Sequence, residues 1–245
     1  MYKERTYRKL IQHNRLTGFR VVVEETDIGV HAETELYSIT KELILKSRGY
    51  ITSYIEKNPE FATSLLPYSV IKPAPSIIID MADAGKKSGV GPMASVAGAV
   101  AEFVGTGLFE YSEEIIVENG GDIFFKLKDE FTAGIYAGES SLSMQIGIRV
   151  DTGGKPAAIC TSSGTVGHSL SMGNADAVTV MAGSCALADA AATSIGNKVR
   201  SHNDIEKAID YGRQISGLSG IVVIVDDKIG IWGDIVIVPL QGKKG

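Results

Sequence analysis

The segment Ala158–Gly196, AICTSSGTVGHSLSMGNADAVTVMAGSCALADAAATSIG, reads as strand, loop, strand and helix, and it holds most of the side chains able to do chemistry. Its last part, GSCALADAAATSIG, is an expected helix: Ser184 suits the N-cap, Gly196 the terminus, and Ala and Leu fill the sides. A helix apolar on nearly every face belongs in the interior. Asp189 lies in its middle, where an unpaired carboxylate is either costly or protonated, so it needs a partner. Thr193 follows four residues later on the same face, so a hydroxyl and a carboxylate converge. Two hard oxygens side by side suit Mg2+ or Ca2+, completed by carbonyls, water and ligand phosphate. The plainer alternative pairs Asp189 with an Arg or Lys and lets Thr193 bond the carbonyl one turn back.

The rest of the segment carries further candidates. Cys185 sits in the first helical turn, where free N–H groups and the helix dipole lower a thiol pKa and make a nucleophile. Cys160 ends the preceding strand; a fold that joins the two would let them pass a persulfide, and otherwise both are small buried residues. Thr161, Ser162, Ser163 and Gly164 at a strand end make either an anion nest or an ordinary solvated loop. His168, at the end of that loop, is a ligand contact or proton carrier, or merely exposed.

Two stretches earlier in the chain belong to the same argument. In Ile116–Phe124, IVENGGDIF, the Asn119-Gly120-Gly121-Asp122 run is a two-residue hairpin signal. It also lets a planar ring or phosphate lie against bare backbone at Gly120 and Gly121, with Asp122 or Asn119 bonding its edge. In Val90–Val104, VGPMASVAGAVAEFV, Pro92 opens a small-residue helix expected over Met93–Phe109. Its Ala94, Ala97, Gly98 and Ala101 face suits tight packing, a homodimer contact or a place at the ligand.

Together these three stretches resemble, in order and spacing, the ApbE superfamily, whose best-known members are Mg2+-dependent FAD:protein FMN transferases. GSCALADAAATSIG is similar to the S-x-x-x-A-D-A-x-A-T segment, IVENGGDIF to N-x-G-G-D, and VGPMASVAGAVAEFV to the G-G-I-A-K-G-Y-A-V-D helix. The resemblance runs over roughly residues 88 to 240 and points to a mostly archaeal and anaerobe-associated branch linked to homocysteine biosynthesis. It implies Asp189, Thr193 and the Ala94 carbonyl as metal ligands, and Gly120, Gly121 and Asp122 as pocket wall. The implied cofactors are Mg2+ and FAD or FMN. Ser95 stands where the motif has Lys, and no D-P-x-T-G follows His168, which argues against flavinyl transfer. Three functions stay open: Mg2+ and flavin (or other pyrophosphate-nucleotide) binding; thiol or persulfide sulfur transfer; and a non-catalytic binding module, with a protein partner.

The chain has 245 residues, 44% hydrophobic and 22% charged, which is ordinary for a globular protein. A net charge of -5 gives no electrostatic case for nucleic acid. Two cysteines make no disulfide framework, so a cytoplasmic chain with free thiols is expected. Residues 1–20 are polar and basic, without an apolar signal region, and no uncharged apolar run is long enough to span a bilayer. Arg8, Arg15 and Arg20 belong to a charged edge strand or hold a phosphate.

Strands are expected at Tyr7–His13, Phe19–Glu24 and Ile28–Glu33, the last two joined at Thr26-Asp27. Helices are expected at Glu35–Lys57, Ser76–Lys87 and, capped at Asn203, Asn203–Ile215. Further strands are expected at Glu113–Glu118, Ile123–Leu127, Thr132–Tyr136, Leu142–Val150, Ala157–Thr161, Ala175–Met181, Gly220–Val225, Lys228–Trp232 and Ile235–Val238. Strands and helices come in alternating groups, which predicts an α+β fold with largely antiparallel sheets and packed helices. The whole chain, 1–245, is read as one domain of two intimately joined halves.

Overall fold

The computed structural model describes residues 15–164 and 173–240. In chain order the elements are β1 (Thr17–Val23), β2 (Thr26–Ala32), α1 (Tyr37–Lys57), α2 (Glu60–Thr63), α3 (Ser76–Ser88) and α4 (Val96–Leu108). There follow β3 (Ile115–Asn119), β4 (Asp122–Lys126), β5 (Phe131–Gly134), β6 (Ile146–Val150), β7 (Ala157–Ser162) and β8 (Ala177–Ala182). The last are α5 (Cys185–Gly196), α6 (Ile205–Gly212), β9 (Leu218–Val225), β10 (Lys228–Gly233) and β11 (Val236–Pro239).

An eight-stranded sheet, in the order β1-β2-β3-β4-β7-β8-β9-β10, is antiparallel at every pairing. Helices cover one face, and a three-stranded sheet, β11-β6-β5, contributes to a separate core on the other. The central strands are therefore buried on both sides, which is why they read as unbroken apolar runs instead of alternating ones. In β4, Phe124 joins the helix-side core while Ile123 and Phe125 join the other. In β9, Ile221, Val223 and Val225 face the helices, and Val222 and Ile224 the small sheet. The α+β, antiparallel expectation holds.

Several boundaries differ from the expectation. The first described hairpin turns at Glu24-Glu25 and not at Thr26-Asp27, because Val23 pairs Thr26 and Glu24 takes a positive φ of 52°. Asp27 is then a strand residue, and Arg20 clamps it with Nε at 2.7 Å and Nη2 at 3.0 Å. Arg15 pairs with Asp129. These two arginines thus meet carboxylates, where a phosphate-holding role was one expectation; Arg8 and the Tyr7–His13 strand lie outside the described residues.

The strand expected over Leu142–Val150 shortens to Ile146–Val150. Successive turns precede it, closed by Ser140 N to Ala137 O at 3.0 Å and Ser143 N to Ser140 O at 2.9 Å. The helix expected over Met93–Phe109 splits into a 3-10 turn, Pro92–Ser95, and α4, with the Ser95 hydroxyl donating to Pro92 O at 2.7 Å. The cap before α6 is Ser201, not Asn203. Ser201 and Asp204 form a reciprocal capping box around a 3-10 turn, His202–Asp204, so Asn203 lies inside that turn and not at its cap. No helix among the described residues is long and apolar enough to cross a membrane.

Candidate functional site

The site is assembled where α4 and α5 meet over β4 and β7. Ser184 is the expected N-cap of α5: its Oγ accepts from Leu187 N at 3.3 Å. Above that terminus lies Glu102, the one acid in an otherwise small and apolar helix. Its Oε2 accepts from Ser184 Oγ at 3.0 Å, Cys185 N at 2.8 Å and Ala186 N at 3.1 Å. Asp189 does the same for α4, since its Oδ2 accepts from Gly98 N at 2.9 Å in the first turn of that helix. Each carboxylate meets the positive end of the other helix's dipole.

Gly98 makes this crossing close. A Cβ there would lie 2.4 Å from Cys185 O and 2.8 Å from Asp189 Cβ, so a side chain would collide with backbone. Of the small-residue face, Gly98 thus serves tight packing within the chain, one of the roles expected of it. Ala94 lies in the 3-10 turn just before α4, and that turn packs against α5.

The Gly-Gly hairpin comes to the same place. Asn119 pairs with Asp122 across Gly120 and Gly121, whose φ angles of 71° and 109° give the two-residue turn expected of that sequence. Gly121 N donates to Glu118 Oε1 at 2.9 Å, and Asn119 Nδ2 to Ala97 O at 3.0 Å, tying the hairpin to the start of α4. A Cβ on Gly121 would sit 3.6 Å from Thr161 O, so turn and strand end lie side by side. Thr161 Oγ1 is 2.9 Å from Thr179 Oγ1 on β8.

Asp122 is only 6% exposed, on β4 beside β7, the strand that carries Cys160 and Thr161. Burial first, and then the neighbouring Asp189, push its carboxyl well above the usual carboxylate range. Asp189 is partly buried, and desolvation raises it to about 7 against the opposing pull of the Gly98 and Ala97 N–H groups. Among the described residues neither acid has a basic partner, so the Arg or Lys considered for Asp189 is replaced by a helix terminus and a second acid. Thr193 is 7% exposed, and its hydroxyl bonds no described residue, so the bond to the carbonyl one turn back is not made either.

Cys160 and Cys185 do come together: their Sγ atoms are 3.4 Å apart, and Cys160 Sγ is also 3.4 Å from Cys185 O. The lowered thiol pKa expected of Cys185 is not found. Burial pushes it up to about 11, with Asp122 and Glu102 adding to the rise, because the helix N–H groups that would favour a thiolate already serve Glu102. Ser162, Ser163 and Gly164 continue the β7 edge beside Thr161, and His168 lies outside the described residues.

Sequence reasoning missed Glu102, for which the lone acid within Val96–Leu108 was the available signal; Gly98 was placed on a close-packing face, but its partner on α5 was not named. No cluster of three or more His, Cys, Asp or Glu that could hold a metal occurs among the described residues, so a cation here would depend on hydroxyl, carbonyl and ligand oxygens as well. A cavity of about 530 Å3 lies between α1, α3 and α4, lined by Leu43, Ile77, Asp80 and Phe103, and shares only Glu102 with this site.

The architecture has solved counterparts. The flavin transferase ApbE from Vibrio cholerae (H257G mutant) aligns over 89% of this chain and 96% of its own, with a TM-score of 0.57 and 12% identity. The apo Pseudomonas stutzeri flavinyl transferase ApbE aligns over 89% and 93%, with a TM-score of 0.58 and 13% identity. At that identity they establish the fold. Sequence relatives are nearer: a UPF0280 protein of Methanocaldococcus jannaschii is 44% identical over 88% of this chain and 90% of its own length. A UPF0280 protein of Methanothermobacter thermautotrophicus is 39% identical over 92% and 89%. The family model described as AbpE bacteria matches residues 8–231, and this chain belongs to that family, within the ApbE-like superfamily.

Proposed function

We propose that this protein binds Mg2+ together with a flavin or another pyrophosphate-bearing nucleotide, at the junction of α4, α5 and the Gly120-Gly121 turn. One observation carries the reading: acidic charge is crowded at Asp122 and Asp189, since the Asp189 charge adds to burial in raising Asp122 and neither acid has a basic partner among the described residues, beside Thr193, whose hydroxyl bonds no described residue. A divalent cation relieves that crowding, and the donors are the hard oxygens it prefers. Asp189 and Thr193 would hold the ion, with the Ala94 carbonyl as the third oxygen that the resemblance implies. The bare backbone at Gly120 and Gly121, with Thr161, Ser162, Ser163 and Gly164 alongside, forms the wall for the nucleotide. When bound, the ion supplies charge neutralisation of the pyrophosphate.

The residues support binding more than flavinyl transfer. Ser95, which occupies the place of the motif Lys, is fully buried and turned onto the Pro92 carbonyl, so it cannot reach a ligand as a lysine would. A sulfur-transfer reading has the Cys160–Cys185 contact in its favour, but both thiols are fully buried and held in the neutral form. Titrating FAD into the purified protein with Mg2+ and with EDTA tests the proposal. Mg2+-dependent binding that Asp189→Ala abolishes supports it; binding indifferent to both sinks the metal assignment.

A further inference from the structure

We propose that Cys160 and Cys185 form a reversible modification site, closing to an intramolecular disulfide when the protein meets a small two-electron oxidant of the hydroperoxide class. These are the only two cysteines in 245 residues, so neither has a competing partner within the chain. They lie 25 positions apart, on β7 and α5, yet the packing of that helix on that strand brings the Sγ atoms to 3.4 Å. The second contact, Cys160 Sγ to Cys185 O at 3.4 Å, holds one thiol against the other's own residue. A disulfide needs the sulfurs at about 2.05 Å, a closure that side-chain rotation provides if the two Cβ atoms face each other. Both residues are 0% exposed, which selects an oxidant near the size of water over a bulky disulfide reagent.

The chemistry balances in two steps. One thiol attacks a peroxide oxygen: an S–O bond forms, the O–O bond breaks, and the leaving hydroxide takes the thiol proton as water. The second thiol then attacks the sulfenic sulfur: the S–S bond forms, the S–O bond breaks, and the second water leaves with the second proton. Each sulfur gives up one electron, and the peroxide accepts both. The product pins β7 to α5 and removes the thiol hydrogen that Cys160 donates to Cys185 O, in the first turn of the helix that carries Asp189.

The test uses the full-length protein. It is treated with hydrogen peroxide, quenched with catalase, unfolded in guanidinium with iodoacetamide, and weighed intact. The expected result is a mass about 2 Da below the reduced chain with no alkylation, and two alkylated thiols after dithiothreitol. Two alkylated thiols without reductant, added oxygen atoms, or a disulfide-linked dimer overturn the proposal. Cys160→Ala and Cys185→Ala should each lose the 2 Da signature, and the wild-type measurement stands by itself should either variant fail to fold.

Discussion

Glu102 and Asp189 cap each other's helices. Glu102, on α4, receives N-terminal donors of α5, and Asp189, on α5, receives the Gly98 N–H in the first turn of α4. The exchange fixes the relative position of the two helices that frame the site, so the placement of Asp189 is coupled to Glu102 on the facing helix.

Glu102→Ala should destabilise the protein by about 1–3 kcal/mol, because three donors at the α5 terminus lose their acceptor. Urea unfolding followed by circular dichroism measures the loss. Glu102→Gln keeps an acceptor without the charge and should fall between the two; equal stability of Glu102→Ala and wild type would show that water replaces the carboxylate without cost.

Gly98→Ala should cost about 1–3 kcal/mol as an overpacked helix crossing. The added methyl meets Cys185 O at 2.4 Å and Asp189 Cβ at 2.8 Å, so α4 and α5 must separate. A melting temperature within 1 °C or so of wild type would mean that the crossing is looser than this contact requires.

Asp189→Asn should preserve the acceptor for Gly98 N while removing the charge that burial opposes. In EDTA its thermal stability should equal or exceed that of wild type, and Mg2+-dependent flavin binding should be lost. Retained binding would assign the ion to other oxygens.

Alkaline pH should act through the thiols. Cys185 is raised to about 11 and Cys160 well above the ordinary thiol range, both chiefly by burial. The unfolded chain therefore gives up these protons first, so the stability they contribute is complete below about pH 8.5 and falls as pH rises toward 11. Unfolding midpoints across that window should decline more steeply in wild type than in a Cys160→Ala, Cys185→Ala double variant. At pH 7.5 iodoacetamide should leave the native thiols unmodified, and rapid labelling would contradict their burial.

Much of the fold was legible because its signals are local. Ser184 as a cap, Gly196 at the end of the helix, the Gly120-Gly121 turn and the long amphipathic run of α1 each depend on neighbours within a few residues. Where the reading failed, a competing local interaction won: Ser201 with Asp204 displaced Asn203, and serial turns through Ser140 and Ser143 took the first half of the Leu142–Val150 strand.

By itself, then, the sequence determined the order of elements, the antiparallel α+β class and the pairing of Asp189 with Thr193 on one helix face, since periodicity and capping are properties of contiguous chain. Only the tertiary structure decided that Asp122 feels the charge of Asp189, that Cys160 touches Cys185, and that Glu102 takes the helix terminus on which a reactive thiol would depend. Those relations join residues 25 to 83 positions apart, and they exist because an eight-stranded sheet lays its central strands beneath two crossed helices that Gly98 allows to touch.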